Sequence, residues 1–153
     1  MRTYSIFEIK SDYQPFIIGR EHLLFELLNG KGTLKVGTSS REIDYLCEPI
    51  DPTLIDQAIM QKMGNLFPSI IKKTGSFELS HPIKGDITIE IHPLHLEATC
   101  NGSRMLDLDL FVSLSNVSSS FFAVMDDEHE CGWLKPVKSE QVSMQYMREV
   151  RTV

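Results

Sequence analysis

Between Asp86 and His92 the chain alternates strictly, with Ile87, Ile89 and Ile91 at every second position and Thr88, Glu90 and His92 between them. A period of two sends successive side chains to opposite faces of a strand, so this run predicts a strand buried on one face only. Such a strand needs neighbours and a covering layer. Ser76 to Ser80 reads as extended. Leu94, Leu96 and Ala98 resume alternation beyond Pro93, which marks a turn or bulge because proline cannot donate within a ladder. The region therefore reads as an antiparallel meander. Tyr4 to Ile9 is a β-prone first strand ended by Lys10-Ser11-Asp12. Ser120 to Met125 reads as a buried strand, Asp126 to Cys131 as a polar turn and Gly132-Trp133-Leu134 as its return arm.

Helical periodicity fills the gaps. Phe16, Ile17, Leu23, Leu24, Leu27 and Leu28 recur at helical spacing behind Pro15, which predicts a helix over 14–29. Gly19 inside it marks close packing or a local break. The stripe facing a sheet is assigned to Phe16, Leu23, Leu24, Leu27 and Leu28; Ile17, Ile18 and Phe25 widen it, either as a second buried side or as an exposed binding face. Gly30 to Thr38 has weak pattern. Ser39 or Ser40 can cap a short helix carrying Ile43, Leu46 and Cys47, which Pro49 ends. Asp51-Pro52 then starts a helix to about residue 66, with Leu54, Ile55, Ala58, Ile59, Met63 and Leu66 as its stripe. Residues 106–117 fit both periods: Leu106, Leu108 and Leu110 alternate with Asp107 and Asp109, while Leu110, Leu114 and Val117 suit a helix. Residues 141–153 read as a loose terminal helix.

With 153 residues, 42% hydrophobic and 24% charged, the chain is long enough for one real core and is ordinary in composition. The expected fold class is α+β, a single domain over 1–153 with an antiparallel sheet packed against several helices and a loose tail after about 139. Its net charge of −6 repels phosphate backbones and anionic lipid heads. The pairs Lys72-Lys73 and Lys135-Lys138 lack interleaved aromatics, so direct nucleic-acid binding is not expected. Neither a secretory leader nor a run of ~20 apolar residues is found, which makes cytoplasmic residence and no membrane contact the expectation.

Candidate chemistry is thin. Cys47, Cys100 and Cys131 are widely spaced and form no CxxC pair. His92, His95 and Glu97 invite a metal, but positions three apart on a strand point to opposite faces, so surface histidines are expected unless Pro93 makes a bulge. Cys131 stands beside four carboxylates, which disfavour a thiolate. No HExxH, GxSxG, GxxxxGK[ST] or GxGxxG occurs. The expectation is a non-enzyme without cofactor or metal; the alternative is a small thiol- or metal-dependent enzyme or regulator around His95, Glu97 and Cys131.

Three segments carry a resemblance: Gly19-Arg20-Glu21-His22-Leu23-Leu24-Phe25-Glu26-Leu27, Ile43-Asp44-Tyr45-Leu46-Cys47-Glu48-Pro49-Ile50 and Gly132-Trp133-Leu134-Lys135-Pro136-Val137-Lys138. Together, in this order, they resemble the SirA family, the sporulation inhibitor of replication of spore-forming bacteria. The stretch from about 51 to 118 resembles it in pattern only. The resemblance implies a protein that binds the N-terminal domain of the replication initiator DnaA and blocks new rounds of initiation during sporulation. It implies partner-binding residues at Tyr13, Phe16 and Ile17, on the first helix and its approach, and at Glu48. Ile17 stands where the family pattern has an aromatic.

Overall fold

The computed structural model of the protein describes residues 1–28, 43–125 and 130–134. Seven strands form one antiparallel sheet: β1 (Arg2–Glu8), β2 (Ser69–Lys73), β3 (Ser76–His81), β4 (Gly85–Ile91), β5 (Leu96–Gly102), β6 (Phe121–Met125) and β7 (Glu130–Trp133), in the order β2-β3-β4-β5-β1-β6-β7. The alternating isoleucines set the register of the meander: Ile87 lies opposite Leu79 and Cys100, and Ile89 opposite Phe77 and Ala98. One residue of slip would turn this whole set toward water. β1 lies between β5 and β6, with Ile6 opposite both Leu96 and Ala123.

The same alternation divides the core in two. On one face Tyr4, Ile6, Phe77, Leu79, Ile87, Ile89, Leu96, Ala98, Phe121 and Ala123 meet two helices. These are α3 (Pro52–Ala58), which runs on into a wider π-type turn over Ile59–Met63, and α4 (Met105–Ser115). Asp51 caps α3 by accepting from the Thr53 amide at 3.0 Å, and Pro52 follows at the first helical position, where its missing N–H costs nothing. Among the described residues the opposite face is covered at the β1-β6-β7 end, by α2 (Glu21–Leu28), where Leu24, Phe25 and Leu28 pack on Phe7, Phe122, Val124 and Trp133. Trp133 is buried at 2% exposure and meets Phe122 edge-on at 5.1 Å.

The α+β reading holds, as do the strands at 87–91 and 121–125. The helix over 14–29 is corrected. A 3₁₀ turn (Ser11–Tyr13) leads into α1 (Gln14–Ile17), and the helix then breaks at Gly19, with φ +88, before α2 begins. Residues 105–115 resolve as helix: Leu106, Leu110 and Leu114 are buried at four-residue spacing while Leu108 is exposed. Leu54 and Leu66 of the α3 stripe face solvent, and Phe67 takes the buried place beyond it. β2 was not expected; it is an edge strand. Of the short helix capped by Ser39 or Ser40, the turn over 43–46 is seen. The cap, the Gly30 to Thr38 stretch, residues 126–129, the Lys135-Lys138 pair and the terminal helix over 141–153 lie outside the described residues.

Candidate docking site

The break at Gly19 builds the site. After α1 the chain turns through a left-handed glycine, and Glu21 opens α2 with its carboxylate turned inward, 3% exposed. That carboxylate accepts from the Gly19 amide at 3.1 Å and from the Trp133 indole N–H at 3.3 Å. Burying a carboxylate is costly unless its oxygens are hydrogen-bonded, and here the donors come from the break and from β7. Two segments far apart in sequence, Gly19-Arg20-Glu21 and Gly132-Trp133, are thus fastened together.

Because Glu21 takes an inward position, the buried stripe of α2 is Glu21, Leu24, Phe25 and Leu28. Leu23 and Leu27 fall outside it. Leu23 is 63% exposed, Phe16 on α1 is 66% exposed and Leu27 is half-buried, which corrects the assignment of Phe16 and Leu23 to the sheet-facing stripe. With Ile17, Arg20, Leu24 and Leu46 these three residues line an open apolar groove. The Arg20 guanidinium donates to the Phe16 carbonyl at 3.0 Å, bracing the α1 turn at the groove's side.

The segment 43–50 completes this surface. It is held against β1 by an isolated antiparallel bridge between Ile9 and Cys47, by the Lys10 amide donating to the Leu46 carbonyl at 2.9 Å and by the Glu48 amide donating to the Glu8 carbonyl at 2.7 Å. Tyr45 thereby meets Tyr13, with ring centroids 5.3 Å apart, and the hydrogen bond between their hydroxyls raises the Tyr13 pKa. Tyr13 and Ile17 are half-buried and Ile17 packs on the α2 core, whereas Phe16 and Glu48 are exposed. Tyr13, Phe16 and Ile17 therefore border one continuous surface with Leu46, and Glu48 stands two residues beyond it. Burial pushes the Glu8 carboxyl above its usual range, opposed by a hydrogen bond with Ser118 and reinforced by Glu48 and Asp51, so carboxyl groups gather beyond Leu46, whereas the charged residue lining the groove itself is Arg20. Sequence reasoning missed Leu23, Tyr45 and the groove itself; the signal was present in the surplus of apolar residues over 16–28.

The other candidate chemistry sorts differently. Burial pushes the thiols of Cys47 and Cys100 up to about 12 and leaves them inert. Cys131 sits on β7, three strands away from β5, a separation of about 14 Å at ordinary strand spacing. It does not join His95 and Glu97. The histidines, by contrast, do converge. Pro93 and Leu94 form the tip of the β4-β5 hairpin, the His92 amide donates to the His95 carbonyl at 2.9 Å, and the two imidazoles stack with centroids 4.6 Å apart. Pro93 interrupts the strand with a turn, the condition under which they were expected to converge, so His92 and His95 flank the turn between β4 and β5 instead of sharing one strand. No described helix is long and apolar enough to cross a membrane.

Fold and groove define a small α+β protein that presents an apolar surface where its first helical turns meet the segment 43–50. The chain belongs to the family described as sporulation inhibitor of replication protein SirA, whose family model matches residues 2–138. The family links the chain to sporulation and the inhibition of replication, and it implies a protein partner in that control. A comparison with curated proteins gives no match.

Proposed function

We propose that this protein inhibits initiation of replication by binding the N-terminal domain of DnaA, with Phe16, Leu23 and Ile17 as the apolar centre of the contact and Tyr13, Tyr45 and Glu48 at its margin. The observation that carries the reading is the exposed pair Phe16 and Leu23 beside the groove. Large apolar side chains left in water on both sides of a concave apolar surface gain free energy when a partner covers them, and interfaces concentrate their energy in a few such anchors. Arg20 in the groove and the carboxyl groups of Glu8, Glu48 and Asp51 beyond Leu46 favour a partner that carries charges of both signs around its own apolar patch. An inhibitor acting by occlusion needs neither a cofactor nor a catalytic acid. It would act in the cytoplasm, where the initiator works, and its net charge of −6 would keep it from competing for the DNA itself.

Phe16→Glu and Leu23→Glu test this directly. Both positions are mostly exposed, so thermal unfolding should shift little, while a charge placed in a desolvated contact should weaken binding by about 2 kcal/mol or more, on the order of thirtyfold in Kd. Calorimetric titration of each variant with the DnaA N-terminal domain measures it. Tyr13→Ala and Glu48→Ala should weaken binding less. Undiminished affinity in both glutamate variants, or no binding by the unaltered protein, would remove this reading.

A further inference from the structure

The tip of the β4-β5 hairpin holds a second cluster that docking leaves unused. Ligand atoms of His92, His95 and Glu97 all lie within 4.8 Å of one another, and each residue is half-buried. The hairpin backbone is pinned on two sides. The His92 amide closes it onto the His95 carbonyl, and the Pro93 carbonyl accepts from the Ile50 amide at 2.8 Å. His95 is also held between rings, stacked on His92 and on Phe7 at 5.4 Å.

His92 Nε2 is the informative atom: it is buried and has no hydrogen-bond partner. Carboxylate oxygens do approach it, Glu90 Oε1 at 3.4 Å and Glu97 Oε1 at 3.9 Å, but neither accepts a hydrogen bond from it. A histidine serving only as an ionic partner would donate to one of them. An unpartnered ring nitrogen beside a second imidazole and a carboxylate, with another carboxylate alongside, is the donor set of a cation site. Tetrahedral coordination with bonds of about 2.0–2.2 Å places ligand atoms roughly 3.3–3.5 Å apart, so binding an ion would turn the two imidazoles out of their parallel stack to aim their in-plane lone pairs at one point.

We propose that His92, His95 and Glu97 bind a divalent transition-metal ion of the zinc type. Two imidazoles and one carboxylate suit such a cation better than calcium or magnesium, which prefer all-oxygen shells. Three protein ligands leave a fourth position for water. The ion would join the end of β4 to the start of β5, next to Ile50 and hence to the segment that carries Glu48. This inference is independent of the identity of the docking partner.

The test is zinc binding by the full chain, measured by competition with a chromophoric chelator, beside thermal unfolding with and without zinc. His92→Gln and Glu97→Gln are the variants of choice, because both side chains are more than a third exposed and neither fills the core. His22→Gln removes an exposed imidazole paired with Glu26 on α2 and serves as control. One zinc per chain is expected, with affinity at least about tenfold weaker in each of the two variants, unchanged in the control, and a zinc-dependent rise in Tm confined to proteins that retain the cluster. No uptake by the unaltered protein, or uptake unaffected by both substitutions, would overturn the proposal.

Discussion

Asp107 shows how one buried charge organises its surroundings. Its carboxylate receives the Arg2 guanidinium through Nε at 2.8 Å and Nη2 at 2.7 Å, and the Tyr4 hydroxyl as well. Burial by itself would raise its pKa; the hydrogen bonds from Arg2 and Tyr4 outweigh that and hold the group below its ordinary value of 3.8. Because the folded pKa is depressed, the stabilisation is complete above the unfolded carboxyl value and disappears as pH falls through the folded one. Urea unfolding along a pH series should therefore show a loss of stability below about pH 4 that Asp107→Asn lacks. Asp107→Ala leaves the guanidinium with the Gly102 and Ser103 carbonyls alone and should cost about 2–3 kcal/mol near neutral pH, read from the same titrations. Glu8 has the opposite sign. With its folded pKa raised, its charge opposes folding at neutral pH, so Glu8→Gln should raise Tm at pH 7 and lose that advantage on acidification.

At the scale of elements, the break between α1 and α2 decides what the surface offers. A Cβ added at Gly19 would meet no atom within 4 Å, so Gly19→Ala tests backbone conformation alone. Adopting φ +88 costs an L-residue about 1–2 kcal/mol, and a drop in Tm of several degrees should accompany weaker docking. The same break explains what pattern reading could and could not find. β4 was legible because each of its faces has a uniform environment. α2 was legible as a helix but not in phase, since its buried stripe includes Glu21, whose burial depends on donors from the Gly19 break and from the distant Trp133. α4 was ambiguous for a similar reason: Asp107 belongs to Arg2 and Tyr4, while Asp109 accepts from Lys84 at 3.0 Å, so acids that read as a polar strand face are inward and flanking helix positions. β2 escaped notice because it is an edge, with Ile71 half exposed and Lys72 reaching across to Asp56 of α3. Tyr13, Phe16 and Ile17 could be named as candidates from resemblance, whereas their meeting with Tyr45 and Leu46 depends on the bridge between Ile9 and Cys47, which no local pattern encodes.

Over the whole molecule the sheet is covered unequally. Helices α3 and α4 shield one face, while the other is sheltered at the β1-β6-β7 end and leaves Glu78, Thr88 and Glu90 to solvent farther along. Amide hydrogen exchange should accordingly be slowest in β1 and β6, which have strands on both sides and apolar layers on both faces, and fastest among strands in β2. Uniform protection across all seven strands would contradict this. The interior place of β1 also has a consequence for synthesis. Ile6 finds its partners at Leu96 and Ala123, so β1 leaves the ribosome long before them and waits, unpaired, until they follow. Loop-closure entropy makes such distant pairings slow, on the order of milliseconds to seconds for β-rich topologies. The segment 43–50 is anchored to β1, and the Gly19 break to Trp133; a nascent chain therefore has no finished groove until Trp133 has emerged and β7 has paired.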